Sequence, residues 1–489
     1  MPELALAAIS AALNDAALLE STRGELPDRA TGITDDSRQV QPGTVFIAVR
    51  GSERDGHDYL EAAKVAGASA AIVERADRLP PDLPALVVGD GRRAAPLAAA
   101  AAYDWPARQL RLVGVTGTNG KTTTVNMLRH ILDSREARGA SIGTLGVLVG
   151  SEGHAVDGGG GLTTPGPVEL QRLLRELVDA GIGRVAMEVS SHSLDQRRVD
   201  GVQFDVVVYT NLTRDHLDYH HTMEAYFAAK ARLLEYLLPH GTVVYNLDDK
   251  AWAALRTDRR KVAFSERVMT AEVHAEGVQF NPGGSEWTLA LGPERLPVRL
   301  PLIGDFNVLN ALGAAAAAYA LGIPSEQIAS RLSTLPQVPG RLELLHESPA
   351  VLRDYAHTPD ALERALTAVR PFTSGRLIVV FGCGGDRDKG KRPVMGGIAE
   401  RLADVAIVTS DNPRTEDPER ILDDIEAGMD RRDHDRIVDR REAIQHALDL
   451  AKNGDVVLLA GKGHETYQVR GMTRYPFDEA EIVKELTRD

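Results

Sequence analysis

Short apolar runs recur along the chain, separated by stretches whose apolar residues fall three and four apart, and this rhythm predicts alternating strands and helices. In the first hundred residues TVFIAV from Thr44 and ASAAIVE from Ala68 read as strands, with an alanine-rich helix near Tyr59 to Ala66. The opening stretch MPELALAAISAALNDAALLE reads as a first helix. Glu3 stands where a secretory signal would carry positive charge, and Asn14 and Asp15 interrupt the apolar run. Pro106 in DWPARQ breaks the preceding helical run before the strand LRLVGV, which places a domain boundary near residue 108.

From that point LRLVGV, KTTTVNMLRHIL, RVAMEVS, DVVVYTNL, EAYFAAKARLLEYL and TVVYN alternate strand and helix. Short apolar runs between amphipathic helices predict a mostly parallel sheet covered on both faces. The Gly- and Pro-containing stretch Gln279 to Pro301 reads as a strand hairpin, and a long alanine-rich helix from Asn307 follows it. Pro336 and Pro339 in LPQVPGR mark a second boundary, which divides the chain into residues 1–108, 109–338 and 339–489. The last portion repeats the alternation: VLRDYA, a helix from Thr358, RLIVVFG, a helix near Met395 to Leu402, DVAIVTS, helices from Pro418 and Arg441, and DVVLLAG. It predicts a doubly wound, Rossmann-like domain, in which ligands bind beyond the carboxyl ends of the strands. GCGGDRDKGKR, DNPRTED and GKGHE fall at those ends.

Composition narrows the function. The chain has 489 residues, 43% hydrophobic and 26% charged, which suits a folded protein of several domains. A net charge of -14 argues against a nucleic-acid partner held by a general basic surface. A single cysteine, Cys383, excludes an internal disulfide and fits a reducing compartment; it reads as a small buried apolar residue. The most apolar later segment, NALGAAAAAYALGI, is too short to span a bilayer. A cytoplasmic protein without membrane insertion is therefore expected.

The stretch GVTGTNGKTTT, Gly114 to Thr124, stands between a strand and a helix, the setting of a phosphate-binding loop. It is a variant, because Val115 replaces the first glycine of the common pattern. Gly117 and Gly120 allow close backbone approach, Lys121 reaches terminal phosphates, and Thr122 offers a hydroxyl to magnesium. ATP binding is the reading these residues support on their own.

TGTNGKTT, EVSSHSLDQRR, NLTRDHLDYH, GRLE and DYAHTPDAL together resemble the Mur ligase family of peptidoglycan synthesis, through all three parts of the chain. The resemblance implies a carbon–nitrogen ligase in which ATP phosphorylates a carboxylate and an amine displaces the phosphate. It implies a small N-terminal α/β domain for a UDP-sugar, a central P-loop-type ATP-binding domain and a C-terminal domain for an amino acid. Gly117, Thr118, Asn119, Gly120, Lys121, Thr122 and Thr123 would cradle the nucleotide, with Asn307, Arg341 and Asp354 contacting its adenine, phosphates and ribose. Thr122, Glu188, His216 and Lys230 are implied magnesium ligands, Lys230 after carbon dioxide converts it to N6-carboxylysine. Apart from the resemblance, a helical lysine is ordinarily a solvated surface residue and a lone histidine a structural one. His357 matches a family motif without an assigned role. The expected catalytic set is Lys121, Lys230 and Arg341, and no residue stands out as a general base.

The resemblance also implies the other two reactants, UDP-N-acetylmuramoyl-L-alanyl-D-glutamate and meso-diaminopimelate. Ser37 in ITDDSRQV and Ser52, Glu53 and Arg54 are implied on the uridine diphosphate side, where a plain loop with an N-cap serine is the other reading. Thr163, Thr164, Ser190, Gln196 and Arg198 are implied for the muramoyl dipeptide, although DGGGGLTTPGP is richer in glycine than such a loop requires. Asp411, Asn412, Pro413 and Arg414 form DNPR, implied as the diaminopimelate motif, with Arg387, Gly461 and Glu465 completing the contacts. A guanidinium grips a carboxylate by two parallel hydrogen bonds, and diaminopimelate carries a distal carboxylate that lysine lacks. Without that context DNPR reads as a turn opening the next helix. A monomer is expected. The rival readings are another amide ligase such as a folylpolyglutamate synthetase or a different Mur ligase, a P-loop ATPase that drives motion, and a non-catalytic uridine-nucleotide binding protein.

Overall fold

The computed structural model describes residues 4–51, 54–159, 161–281, 283–431 and 433–487. The N-terminal sheet runs in the order Leu19–Arg23, Ala85–Val88, Ala70–Val73, Thr44–Ile47 and Gly32–Thr34, parallel except for its first member. Helix Leu6–Asp15 packs on helix Gly91–Ala102 over one face, where Ile9, Leu13, Ala95, Ala98 and Ala99 are fully buried. The helix expected near Tyr59 to Ala66 is split, with a 3-10 turn at Gly56–Tyr59 before the α-helix Leu60–Val65.

The central sheet has eleven strands. Its parallel middle follows the order Arg138–Gly143, Ile182–Glu188, Arg111–Thr116, Phe204–Tyr209, Leu237–Asn246, Arg260–Ser265 and Val273–Asn281. Successive strand residues point to opposite faces. Val113, Val115, Val206 and Val208 therefore join the core under helices Lys121–Leu132 and Asp305–Ala320, while Leu112, Val207 and Tyr209 join the core on the other face with helix Pro167–Asp179. Each such buried valine contributes about 2 kcal/mol relative to exposure. Helix Asp305–Ala320 has Ala314 to Ala318 fully buried; alanine is the strongest helix former, and its small side chain lets the sheet approach closely.

Two expectations change here. The segment read as a hairpin is a three-stranded meander, Val273–Asn281, Gly284–Leu291 and Glu294–Leu300, because the apolar run starts before Gln279 and turns again at Gly292. The helix read through EAYFAAKARLLEYL is α-helical only over Met223–Ala231, tightens to a 3-10 turn at Arg232–Tyr236, and gives Leu237 to the next strand.

The C-terminal sheet runs in the order Glu343–Glu347, Ala350–Asp354, Val456–Ala460, Leu377–Phe381, Val405–Val408 and Asp435–Arg436, parallel after its first member. The hairpin Tyr467–Arg470 and Thr473–Pro476 extends beyond the sheet. Cys383 is buried, its Sγ 3.6 Å from Met395 Sδ, and burial pushes its thiol up to about 12. No helix among the described residues is long and apolar enough to cross a membrane.

Candidate active site

Strand Arg111–Thr116 leads into the glycine loop and helix Lys121–Leu132. Gly120 has φ +85° and Gly117 φ +152°, and a Cβ on either would collide with Asn310 Oδ1 or Thr210 Oγ1 respectively. Both positions require glycine. Asn211 braces the loop from the neighbouring strand end: its carbonyl accepts the Thr118 amide at 2.8 Å and its Oδ1 accepts the Asn119 amide at 2.8 Å. No side chain caps the helix that follows Gly120. The cradle thus presents a glycine-lined helix N-terminus, which fits an oligophosphate.

Lys121 Nζ donates to the carbonyls of Gly117 and Thr118 at 2.9 and 2.8 Å. Burial lowers its pKa from the ordinary lysine value. Thr122 Oγ1 donates to Glu188 Oε2 at 3.1 Å, and Glu188 Oε1 accepts the Thr144 amide at 2.8 Å. Thr123 is buried in the first turn of the same helix.

Lys230 is not a surface residue. It is 1% exposed, donates to the Gly117 carbonyl at 2.8 Å, and lies 4.5 Å from the centre of the Tyr226 ring. Burial first, and then the Lys121 charge, push its pKa well below the usual lysine value. His216 adopts φ +53°, sits 3.4 Å from Asp215 and 4.8 Å from the His192 ring, and burial lowers it to about 4. Its imidazole is neutral at pH 7, the form that binds a metal. Among the described residues no group of three or more His, Cys, Asp and Glu side chains is placed to hold a metal by itself. Thr122 and Glu188, joined by a hydrogen bond, offer an oxygen-rich partial shell instead, and His216 a neutral ring nitrogen. Magnesium fits such a shell, because it keeps waters and substrate phosphates among its ligands.

Arg341 Nη2 donates to Thr122 Oγ1 at 3.0 Å, and its guanidinium lies 4.9 Å from the Tyr355 ring centre. Asp354 supports this turn by accepting the Leu342 amide at 2.8 Å; burial raises its carboxyl to about 6. Asn307 donates to the Ile303 carbonyl at 2.8 Å and accepts from Asn310, the residue packed against Gly120. His357 faces the cleft, with Nδ1 2.8 Å from the Tyr355 carbonyl.

A cleft of about 2050 Å³ separates the central and C-terminal domains. Lys121, Thr163, Ser190, Arg198, His216 and Lys230 line one side, and Arg387, Asp411, Asn412, Arg414, Gly461 and Glu465 line the other. Thr164 and Ser190 are joined to the end of the Glu188 strand: Thr164 Oγ1 donates to the Glu188 carbonyl at 2.9 Å and accepts the Ser190 amide at 3.1 Å. Arg198 reaches the Thr164 carbonyl at 3.1 Å and Gln196 Oε1 at 3.0 Å.

On the facing wall Asn412 Nδ2 donates to Glu465 Oε2 at 2.8 Å. Pro413 is buried, and Arg414 follows it at φ +52° with Nη1 2.8 Å from the Gly385 carbonyl. Gly461 has φ +119°, where a Cβ would press on Asp411 Oδ2 at 2.7 Å. Arg387 is exposed and lies near enough to Arg414 for its charge to help lower the Arg414 pKa after burial. Ser37, in the short turn Ser37–Gln39, and the exposed Arg54 do not line the cleft; Ser52 and Glu53 lie outside the described residues.

Sequence reasoning missed several members. Asp360 accepts from Asn119 Nδ2 at 2.7 Å, linking the C-terminal domain to the glycine loop, and it lay unassigned within DYAHTPD. Lys462, fully buried, contacts Asn412 Oδ1 at 3.2 Å and Glu465 Oε2 at 3.1 Å, and it was present in GKGHE. Tyr226 carries no sequence signal beyond its place one helical turn before Lys230.

Comparison with known proteins agrees with this layout. Residues 29–103 match the Mur ligase family catalytic domain, residues 115–318 the Mur ligase middle domain, and residues 340–463 the Mur ligase glutamate ligase domain. The UDP-N-acetylmuramoyl-L-alanyl-D-glutamate–2,6-diaminopimelate ligase of Synechococcus elongatus is 45% identical over 476 residues, covering 95% of each chain. Its namesake in Geobacter metallireducens is 44% identical, covering 95% of this chain and 96% of that one. A solved structure bearing the same ligase name shares 34% identity, with a TM-score of 0.65 over 94% of this chain and 95% of that one. The MurF ligase of Thermotoga maritima in complex with ADP, 20% identical with a TM-score of 0.65 over 93% of this chain and 96% of that one, shares the fold. Three domain matches in order, and near-complete relatives well above 30% identity, mean that the chain belongs to the Mur ligase family.

Proposed function

We propose that the protein joins meso-diaminopimelate to the γ-carboxylate of the D-glutamate in UDP-N-acetylmuramoyl-L-alanyl-D-glutamate, using ATP, to make the UDP-linked tripeptide of peptidoglycan synthesis. The observation that carries this reading is a cleft with Lys121, which follows the glycine loop, on one wall and Asp411, Asn412 and Arg414 on the other. The names of the full-length relatives supply the same pair of substrates.

The barrier is chemical. A free carboxylate resists an amine, so one of its oxygens first takes the γ-phosphoryl group of ATP, releasing ADP. The amine at the L-centre of diaminopimelate then attacks the acyl carbon; the carbon–oxygen bond breaks and inorganic phosphate leaves. Lys121 and Arg341 supply positive charge where the phosphoryl group carries negative charge. Magnesium, when bound, would supply positive charge against the phosphates. Thr122 and Glu188 would hold one ion, and His216 with Lys230 a second.

Lys230 would serve as a carbamate. Its neutral amine adds to carbon dioxide and loses a proton, turning a buried cation into an anion that binds a metal, and the depressed pKa supports this chemistry. Asn307 and Asp354 would bound the nucleotide. Thr163, Thr164, Ser190, Gln196 and Arg198 would hold the muramoyl dipeptide, and Ser37 and Arg54 the uridine diphosphate. Arg414 and Arg387 would take the distal carboxylate of diaminopimelate, and Glu465 its ammonium. The protein would act as a monomer, and the single buried thiol supports a cytoplasmic location.

The test is phosphate release from ATP with the muramoyl dipeptide present and with meso-diaminopimelate, L-lysine or no amine. Release and tripeptide formation with diaminopimelate alone are expected. Equal release without the dipeptide, and no new amide, would overturn the reading.

A further inference from the structure

Arg387 and Arg414 lie on different loops and repel one another, so some structure must fix their separation. Two carboxylates are exchanged between those loops. Asp386 accepts the Thr415 amide at 3.1 Å and the Thr415 hydroxyl at 2.9 Å. In return Glu416 Oε1 accepts the Asp386 amide at 2.6 Å. Asp386 itself takes φ +54°, an uncommon conformation for a residue other than glycine, which the exchange holds in place.

Beneath the exchange lies Arg392, whose side chain is fully buried. It donates to both oxygens of Glu416 at 2.9 and 3.1 Å, to Asp424 at 2.9 Å, and to the Gly384 carbonyl at 3.3 Å. The backbone contacts are equally close. The Gly385 amide donates to the Asn412 carbonyl at 2.9 Å, and a Cβ on Gly385 would collide with the Pro413 carbonyl. A buried two-point arginine–carboxylate contact resists shear better than a single hydrogen bond.

We infer that Asp386, Thr415, Glu416 and Arg392 form a brace that sets the spacing of Arg387 and Arg414, and so govern selection of an amine substrate bearing a distal carboxylate. The four act as positioning residues. The inference rests on the proposed role of Arg414 and adds to it what aims that side chain. If the brace loosens, the two guanidiniums separate and no longer converge on one carboxylate, while the nucleotide and muramoyl sites on the opposite wall are untouched.

The experiment measures kcat and KM for meso-diaminopimelate, ATP and the muramoyl dipeptide, and the diaminopimelate-to-lysine selectivity, in Thr415→Val, Thr415→Ser, Asp386→Asn and Arg414→Ala. Asp386 and Thr415 are exposed, so these variants retain the fold, which thermal melting verifies. Thr415→Val and Asp386→Asn are expected to raise the KM for diaminopimelate about tenfold, the loss of one charge-assisted hydrogen bond, with the other two KM values unchanged. Thr415→Ser, which keeps the hydroxyl, is expected to behave as wild type. Selectivity lost in Arg414→Ala but retained in both brace variants would overturn the brace alone. Selectivity retained in Arg414→Ala would overturn the role of Arg414, and the brace with it.

Discussion

Arg341, at the entrance to the C-terminal domain, donates to the hydroxyl of Thr122, in the first turn after the glycine loop, across 3.0 Å. The contact places a cation from one domain on the hydroxyl that would face phosphate and metal in the other. Charge from the C-terminal domain would therefore reach a phosphoryl group bound at the glycine loop. Arg341→Ala is expected to lower kcat by about a hundredfold or more, the scale of losing one charged transition-state contact, with a small change in melting temperature. Arg341→Lys is expected to recover only part, because a point charge cannot reach Thr122 and face Tyr355 as the planar guanidinium does. Single-turnover ADP release beside thermal melting checks both.

Lys230 makes a second prediction. An arginine in its place stays charged at any accessible pH and cannot add carbon dioxide. Lys230→Arg is expected to lose activity by about a hundredfold or more if the carbamate holds a metal there. Intact-protein mass spectrometry in bicarbonate and in carbon-dioxide-free buffer should show an added carboxyl mass on the wild type only in bicarbonate, and on the variant in neither. Wild-type activity that is the same in both buffers would remove the carbamate from the mechanism.

Lys230 also marks how much was legible in the sequence. The strand and helix alternation followed from period alone, because Val113, Val206 and Val208 alternate with residues on the opposite face of the sheet. The glycine loop was legible for the same local reason: Gly117 and Gly120 are required by backbone geometry within a few residues. Lys230 sits in a helix whose pattern does not separate a buried face from a solvated one, so only the family motif singled it out. The Asn119–Asp360 and Arg341–Thr122 contacts join distant segments, and no local period encodes them. The break at Ala231 was hidden for a different reason, since Arg232 to Tyr236 are as fit for an α-helix as for the 3-10 turn that directs Leu237 into the sheet.

Gly120 gives a third prediction. At φ +85°, with Asn310 Oδ1 where a Cβ would stand, Gly120→Ala faces both backbone strain and a collision. Asn310 cannot move away freely, because its amide donates to Asn307 Oδ1 at 3.1 Å. Nucleotide affinity, measured calorimetrically with ADP, is expected to fall at least tenfold, the effect of about 1.4 kcal/mol. An unchanged affinity would place the nucleotide elsewhere.

Glu416 supplies the last prediction, in acid. The hydrogen bonds from Arg392 hold its carboxyl down at about 2, against an ordinary value of 4.5. A carboxyl lowered on folding contributes stability that is complete above its unfolded value and disappears as pH falls through its folded value. The contribution is therefore present at neutral pH and fades between 4.5 and about 2. Glu416→Gln removes the charge at every pH while preserving the shape, so it lowers the melting temperature most at neutral pH, where Arg392 is left with Asp424 as its remaining carboxylate partner. The gap between wild type and variant should narrow steadily as pH is lowered through that window, as protonation of Glu416 brings the wild type toward the variant. A gap that stays constant from neutral pH to the acid limit would mean that the Arg392 contact contributes through packing and not through charge.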